Sequence, residues 1–318
     1  MGITSTPWSN LPSILSIKRS KLSLYGAVYP CSSLPSSSSS SLLLSFKRCK
    51  LVSRRSFGTF VQKRSSMIVH CSQLKVEEDK DADACELVNG SELRIGEGND
   101  TIHAYLFKAV KNNNGAGILL LSDIFGFEDS YTRDFAYRVA CGGYNVLVPD
   151  LFRGDKWSKN RPQAQFKQWL SNQDLNRVAK DITTSTKWMV DEFMPDESSR
   201  KLGIIGFCYG GGRVLEVLAN DQDSVFGTGV SFYGTRMDLS AAPNVKVPVL
   251  FVTGDNDALC PVATLNELEN MIGKNSKVVV FKGRGHGFVH RPQSLEEDAD
   301  AEEAFKIMRN WLHDQLLG

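Results

Sequence analysis

The first 70 residues of this 318-residue chain contain no aspartate or glutamate. They carry ten lysines and arginines and 19 serines, including the run Ser36 to Ser41. A serine-rich, basic segment of this kind cannot bury a core, and it is typical of an organellar transit peptide. We therefore predict that residues 1–72 are a disordered transit peptide for the chloroplast or, alternatively, the mitochondrion. A disordered basic tail that binds acidic surfaces is the competing interpretation.

Long hydrophobic runs are also missing. The longest early run, Leu42 to Leu44, is far shorter than the apolar core of a secretory signal. No later run approaches the roughly 20 apolar residues that span a bilayer. These two absences predict that the protein has no membrane partner.

Acidic residues begin at Glu77, which changes the charge balance along the chain. Without the ten early positive charges, the remaining chain has a formal net charge near −9. Such a charge argues against nucleic acid as a partner. We assign residues 73–94 to an acidic N-terminal extension and residues 95–318 to one folded domain. The sequence does not indicate an oligomeric state.

The seven cysteines have no spacing that is typical of a zinc site or a disulfide framework. We therefore predict that the protein has no metal site. Those outside the first 72 residues are Cys85, Cys141, Cys208 and Cys260.

From about residue 85 onward, short β-rich runs alternate with longer stretches of helical period, which predicts βαβ units. Several runs are continuously apolar, as expected for a sheet covered on both faces. We predict an α/β fold with a mostly parallel, doubly wound sheet in a single domain. The predicted strands are 101–109, 117–122, 145–149, 201–206, 227–232, 248–253 and 277–281. The predicted helices are 130–141, 162–171, 175–193, 210–219, 262–272 and 299–317.

One predicted strand runs directly into a glycine-framed turn and then into a helix. Gly206 and Gly210 flank Cys208 at the centre of this turn. A strand, tight turn and helix of this form is the nucleophile elbow, which needs glycines because its neighbours pack too closely for side chains. We therefore predict that Cys208 is a nucleophile, with the helix N-terminus favouring its thiolate. A buried structural cysteine beside a packing turn is the alternative.

Two further strand-end loops supply the partners that such a nucleophile needs. Asp255 and Asp257 compete as the acid that orients a histidine, and the sequence before Pro261 favours Asp257. A turn that merely closes the strand is the alternative. His286, which glycines flank, is the predicted general base and acid. The order Cys208, Asp257, His286 is that of nucleophile, acid and histidine in this type of fold.

Taken together, these residues resemble the dienelactone hydrolase family, also called carboxymethylenebutenolidases. The resemblance covers most of residues 95–317 and implies an α/β-hydrolase fold, a Cys-Asp-His triad and no cofactor. The motifs that carry it are Asp123-Ile124-Phe125-Gly126, Pro149-Asp150-Leu151-Phe152, Gly206-Phe207-Cys208-Tyr209-Gly210-Gly211, Ser231-Phe232-Tyr233-Gly234, Asp257 before Pro261, and Gly285-His286-Gly287-Phe288.

The resemblance also implies roles outside the triad. In the family a carboxylate holds the resting cysteine and accepts its proton when substrate arrives. Asp123 occupies that position, one methylene shorter than the family's glutamate. A helix cap is the alternative role for this residue. The backbone N–H groups of Ile124 and Tyr209 would form the oxyanion hole.

Two arginines are weaker candidates for gripping a substrate carboxylate, as arginines do in the family. Arg291 lies five residues after His286, whereas the family places arginine four residues after, where this chain has His290. Arg161 is the counterpart of the family's other arginine. Solvated surface cations are the alternative reading of both. The departure from the family pattern argues against a carboxylate-bearing dienelactone as the substrate.

The sequence thus predicts a cysteine-dependent hydrolase that opens small lactones or esters through a thioester intermediate. One alternative keeps the fold but drops turnover, so that the protein binds ligands or senses them through Cys208. A redox enzyme that uses Cys208 and Cys260 is a second alternative.

Overall fold

An eight-stranded sheet organises the computed structural model of this protein, which describes residues 88–194 and 202–318. The predicted transit peptide and residues 73–87 of the predicted extension lie outside the described residues. The strands are β1 (Val88–Ile95), β2 (Ile102–Ala109), β3 (Gly117–Leu121), β4 (Asn145–Pro149), β5 (Leu202–Phe207), β6 (Phe226–Phe232), β7 (Val249–Gly254) and β8 (Lys277–Phe281). The helices are α1 (Ser130–Cys141), α2 (Phe166–Ser171), α3 (Leu175–Phe193), α4 (Tyr209–Ala219), α5 (Val262–Ile272) and α6 (Leu295–Leu316).

The sheet is mostly parallel, as the alternation of elements predicted. Its strand order is β1-β2-β4-β3-β5-β6-β7-β8, and β3 to β8 all run parallel. Among the described strands, β2 alone runs in the opposite direction, and it pairs antiparallel with both β1 and β4. Every residue of β3, β4 and β5 is buried. Because successive strand residues point to opposite faces, helices must cover both faces of these central strands.

Each predicted strand is present, with ends that differ by at most one residue. Strand β1, however, was not predicted. Residues 88–94, assigned above to the extension, pair with β2 in a register that runs from Val88 opposite Ala109 to Ile95 opposite Ile102. Most β1 side chains are exposed, so no apolar alternation reveals this edge strand.

Two helices begin at positions that the sequence placed differently. The predicted helix 162–171 is regular only from Phe166, because residues 163–165 form a 3₁₀ turn. Helix α6 begins at Leu295, four residues before the predicted start. Ser294 caps it by accepting a hydrogen bond from the Glu297 backbone N–H at 3.1 Å. This pairing of Ser294 with Glu297 is a capping signal that the periodicity alone did not reveal.

Candidate active site

The carboxyl ends of the parallel strands lie along one edge of the sheet, where ligands usually bind in such folds. The loops after these strands carry most of the predicted site residues. Asp123 follows β3, Cys208 follows β5, Asp257 follows β7 and His286 follows β8. Tyr233, which received no role from the sequence, follows β6 between them.

Cys208 occupies the sharp turn between β5 and α4. Its φ of 52° and ψ of −112° are rare for an L-residue with a side chain. A Cβ on Gly206 would lie 2.4 Å from the Gly210 carbonyl oxygen, and one on Gly210 would lie 2.4 Å from the Leu121 oxygen. Neither distance is sterically possible, so the two glycines are required for the turn. The half-buried Cys208 thus stands at the N-terminus of α4.

Asp257 is the carboxylate that contacts His286. Its Oδ2 lies 2.7 Å from His286 Nδ1, while its Oδ1 accepts backbone hydrogen bonds from Leu259 and Cys260 at 2.9 and 3.2 Å. Its competitor Asp255 accepts instead from the backbone N–H of Gly283. Because the Asp257 carboxylate accepts, Nδ1 of His286 carries the proton, and Nε2 is the nitrogen directed at other groups.

The Cys208 thiol interacts electrostatically with the His286 ring. Nε2 is buried and has no well-aligned hydrogen bond among the described residues, and the thiol is within interaction range. Burial by itself lowers the pKa of His286. The Cys208 thiolate and the Asp257 carboxylate more than offset this effect and raise the pKa to about 10. The charge of the His286 ring is therefore coupled to the groups that flank it on both sides.

The two backbone N–H groups predicted for the oxyanion hole lie on loops that are hydrogen-bonded to each other. The Gly210 N–H, next to Tyr209, donates to the Ser122 oxygen at 3.2 Å, and the Ile124 oxygen accepts from the Trp157 N–H at 2.9 Å. Within the described part of the chain, neither the Ile124 N–H nor the Tyr209 N–H has an acceptor. Both are therefore available to a ligand oxygen.

Asp123 is buried near this site, but other groups than the thiol bind its carboxylate. Oδ2 accepts from His290 Nε2 at 3.1 Å and from Arg291 Nε at 2.9 Å, and Oδ1 accepts from the Phe125 N–H at 2.9 Å. Burial would raise the pKa of Asp123, but His290 and Arg291 lower it to about 2. The carboxylate is therefore ionised and held by three donors.

The two candidate substrate-binding arginines are both engaged in ion pairs. Arg291 bonds Asp123 through Nε and Asp129 through Nη2, the latter at 2.8 Å. Arg161 pairs with Asp155 and keeps about a third of its side chain exposed, at 34%. The structure brings Arg291 to the candidate site through Asp123, whereas the contacts of Arg161 are confined to its own loop and the Trp157 ring.

The sequence indicated no role for two buried residues of the site, Tyr233 and His290. Tyr233 has a φ of 37°, and its hydroxyl lies 2.5 Å from His290 Nδ1. Its ring contacts the His286 ring, with centroids 5.1 Å apart. Tyr233 lies within one of the quoted motifs, and His290 follows His286 by four positions. These two features were the only signals that sequence could offer.

The structure describes two cysteines besides Cys208, namely Cys141 and Cys260. Cys141, Cys208 and Cys260 form no disulfide. Cys260 is buried, and its pKa is raised to about 12, chiefly because burial disfavours the thiolate. Among residues 88–194 and 202–318, no three metal-binding side chains cluster, and no helix is long and apolar enough to cross a membrane.

Comparison with known proteins matches most of the described chain. The model of the dienelactone hydrolase family matches residues 102–316. The human carboxymethylenebutenolidase homolog is 30% identical over 235 residues, covering 71% of this chain and 91% of the human protein. Its counterpart in Xenopus tropicalis is 31% identical over the same coverage. A solved dienelactone hydrolase from Anabaena variabilis shares the fold, with a TM-score of 0.55, 19% identity and coverage of 72% and 99%.

Proposed function

This chain belongs to the dienelactone hydrolase family and is therefore a hydrolase of lactones or esters, and we propose that it acts through Cys208, His286 and Asp257 by way of a thioester. The observation that carries the proposal is the line of contacts at the sheet edge. Asp257 Oδ2 lies 2.7 Å from His286 Nδ1. The same imidazole interacts with the thiol of Cys208, whose backbone lies in a strained turn.

The first half of the reaction forms the thioester. The Cys208 thiolate attacks the substrate carbonyl carbon, and the carbonyl electron pair moves to oxygen. The Ile124 and Tyr209 N–H groups stabilise this oxyanion, each donor contributing about 3 kcal/mol. As the tetrahedral intermediate collapses, the C–O bond to the alcohol breaks, and the His286 imidazolium gives its Nε2 proton to the leaving oxygen.

The second half hydrolyses the thioester. His286, now neutral, accepts a proton from water as the water oxygen attacks the acyl carbon. The C–S bond then breaks, which releases the acid and restores the thiolate beside the imidazolium. Throughout, Asp257 keeps the proton on Nδ1 and stabilises the positive ring.

Charge around the site favours an uncharged substrate. Both arginines proposed to grip a substrate carboxylate, and Lys156 beside Ile124, already have carboxylate partners. The pairs are Arg291 with Asp123 and Asp129, Arg161 with Asp155, and Lys156 with Glu128. A substrate carboxylate buried beside these ion pairs would have to compete with the carboxylates that the cations already bind, which is costly. We therefore assign the enzyme to neutral lactones or esters.

Activity of nucleophile variants tests the proposed function. Cys208→Ala should reduce kcat/KM for a neutral aryl ester by about 10⁴-fold or more, because the attacking atom is removed. Cys141→Ala, which removes a thiol from the far end of α1, is the matched control and should keep wild-type activity. Thermal unfolding of both variants shows that they are folded. If Cys208→Ala hydrolysed the ester at the wild-type rate, the proposed nucleophile would be wrong.

A further inference from the structure

The buried imidazole of His290 lies directly beneath the nucleophile turn. Only 1% of its side-chain surface is exposed. Its ring stacks on Phe207, the residue before Cys208, with centroids 4.3 Å apart and an interplanar angle of 25°. The reaction described above gives this histidine no role.

His290 joins two strand-end loops through its two ring nitrogens. Nε2 lies 3.1 Å from Asp123 Oδ2, on the loop after β3. Nδ1 lies 2.5 Å from the Tyr233 hydroxyl oxygen, on the loop after β6. Tyr233 is itself fully buried and in ring contact with His286. Tyr233 therefore contacts the His286 ring, and Asp123 follows Ser122, whose oxygen accepts from the Gly210 N–H of the nucleophile turn at 3.2 Å.

The direction of these hydrogen bonds follows from the charge on Asp123. Its carboxylate is ionised and can only accept, so His290 Nε2 must donate. Nδ1 of a neutral imidazole is then an acceptor, and the Tyr233 O–H donates to it. Burial first, and then the negative charges of Asp123 and Cys208, raise the pKa of Tyr233 well above its usual value. The phenol of Tyr233 therefore stays protonated while it donates its hydrogen bond to His290.

Burial is the main reason that the His290 ring is neutral. Burial lowers its pKa, Asp123 and Asp129 raise it, and Arg291 lowers it, with a lowered value as the result. Asp123 and Asp129 come from the loop after β3, and Arg291 is its neighbour in the chain. The other surfaces against the ring are Tyr233 and the apolar Phe207.

We propose that His290 is a positioning residue: by bonding Asp123 and Tyr233 together, it keeps both groups from hydrogen-bonding the Cys208 thiol. His286 is then the one proton acceptor that the described residues present to that thiol. This inference rests on the proposed function of Cys208 and specifies its resting state. The thiol needs no substrate to release it from a carboxylate, so it reacts with small electrophiles in the free enzyme.

Alkylation of Cys208 in the full chain tests this role. Iodoacetamide is added without substrate between pH 5 and pH 9, and the rate is followed by mass spectrometry of the Cys208 peptide. His290→Gln keeps a donor near the Nε2 position, whereas His290→Asn keeps only an acceptor near the Nδ1 position. The Gln variant should stay within about twofold of wild type at pH 6. The Asn variant should be about tenfold slower, because Asp123 without the His290 donor is free to hydrogen-bond the thiol and keep it protonated.

A purely structural role for His290 would lower the thermal stability of both variants without separating their rates at pH 6. Equal rates in the Gln and Asn variants, or equal slowing of both, would therefore overturn the proposal.

A second measurement uses the unmodified protein and does not depend on either variant folding. In ¹⁵N-histidine spectra of the full chain, His290 should carry its proton on Nε2 and have a titration midpoint below the ordinary value for histidine. A proton on Nδ1, or a midpoint near the ordinary value for histidine, contradicts the proposal. Both measurements remain valid if Cys208→Ala retains activity, so a failure of the proposed function can be told apart from a failure of this inference.

Discussion

Cys208 is held in its unusual backbone conformation by three backbone hydrogen bonds. Its N–H donates to the Phe232 oxygen at 3.1 Å, and its oxygen accepts from the Gly212 and Thr235 N–H groups at 3.1 and 2.9 Å. A conformation of this kind costs on the order of 1–3 kcal/mol, which the surrounding structure must offset. Strained residues of this type concentrate at functional sites, in agreement with the proposed role of the thiol.

Asp123 should give the stability of the protein a distinct dependence on pH. Because its pKa in the fold, about 2, lies below its ordinary value of 3.8, the ionised carboxylate stabilises the fold above pH 4. That contribution, about 2 kcal/mol, is lost as the pH falls from 4 towards 2. In urea unfolding, Asp123→Asn should therefore be destabilised at pH 7 and less so as the pH falls through this range. Asp155→Asn, at an exposed ion pair, is the control. A difference that stays constant with pH would contradict this account.

Substrate charge provides a second prediction at the residue scale. Two aryl esters of equal length, one ending in a methyl group and one in a carboxylate, should differ at least about tenfold in kcat/KM, with the neutral ester preferred. Added salt should reduce the preference only partly, because buried charges are poorly screened. Equal rates, or preference for the carboxylate, would show that Arg291 or Arg161 is available to substrate after all.

Sequence reasoning at the residue scale succeeded where a motif has a local steric cause. The glycines around Cys208 are fixed by close backbone contacts, so that turn could be predicted from the sequence. The pairing of His290 with Asp123 and Tyr233 joins positions up to 167 residues apart. No local pattern records such a contact, so the role of His290 could not be read from the sequence.

At the scale of elements, the buried strands were predictable and the exposed edge strand was not. The continuous apolar runs of β3 and β4 identify strands covered on both faces. Strand β1 carries the segment Asn89 to Glu92, which is exposed and polar. It is held by its backbone pairing with β2, and such pairing leaves no signature in side-chain type.

The start of α6 can be tested through its cap. Ser294→Ala removes the acceptor for the Glu297 N–H and should lower the free energy of unfolding by about 1 kcal/mol. Ser91→Ala, at an exposed position of β1, should change it by less than about 0.5 kcal/mol. Denaturant unfolding measures both. If Ser294→Ala left the free energy of unfolding unchanged, Ser294 would not be the residue that caps α6.

At the scale of the whole molecule, the fold class followed from the alternation of elements, whereas the order of strands did not. The chain places β3 between β4 and β5, so sequential strands are not always neighbours. That order depends on how helices pack across the sheet, which is a tertiary property. The sheet edge that carries Cys208, Asp257 and His286 could nonetheless be predicted from the sequence, because parallel strands present their carboxyl ends together.

We also propose that residues 1–72 direct the protein to the chloroplast. This segment lies outside the described residues, and the proposal rests on its lack of acidic residues and its excess of serine and basic residues. A reporter fused to residues 1–72 should enter isolated chloroplasts and be shortened between Met67 and Gln73. The same fusion with its lysines and arginines changed to glutamate should not enter. Import into mitochondria alone would support the alternative destination.

The central claim is that Cys208 carries the acyl group of the substrate during turnover. Rapid acid quenching of the full chain with a neutral aryl ester, followed by digestion and mass spectrometry, measures this directly. The account predicts that the Cys208 peptide gains the mass of the acyl group at early times and loses it as substrate is exhausted, and that Cys208→Ala shows no such adduct. Turnover with no acyl group on Cys208 at any time, or an adduct that persists after the ester is consumed, would contradict it.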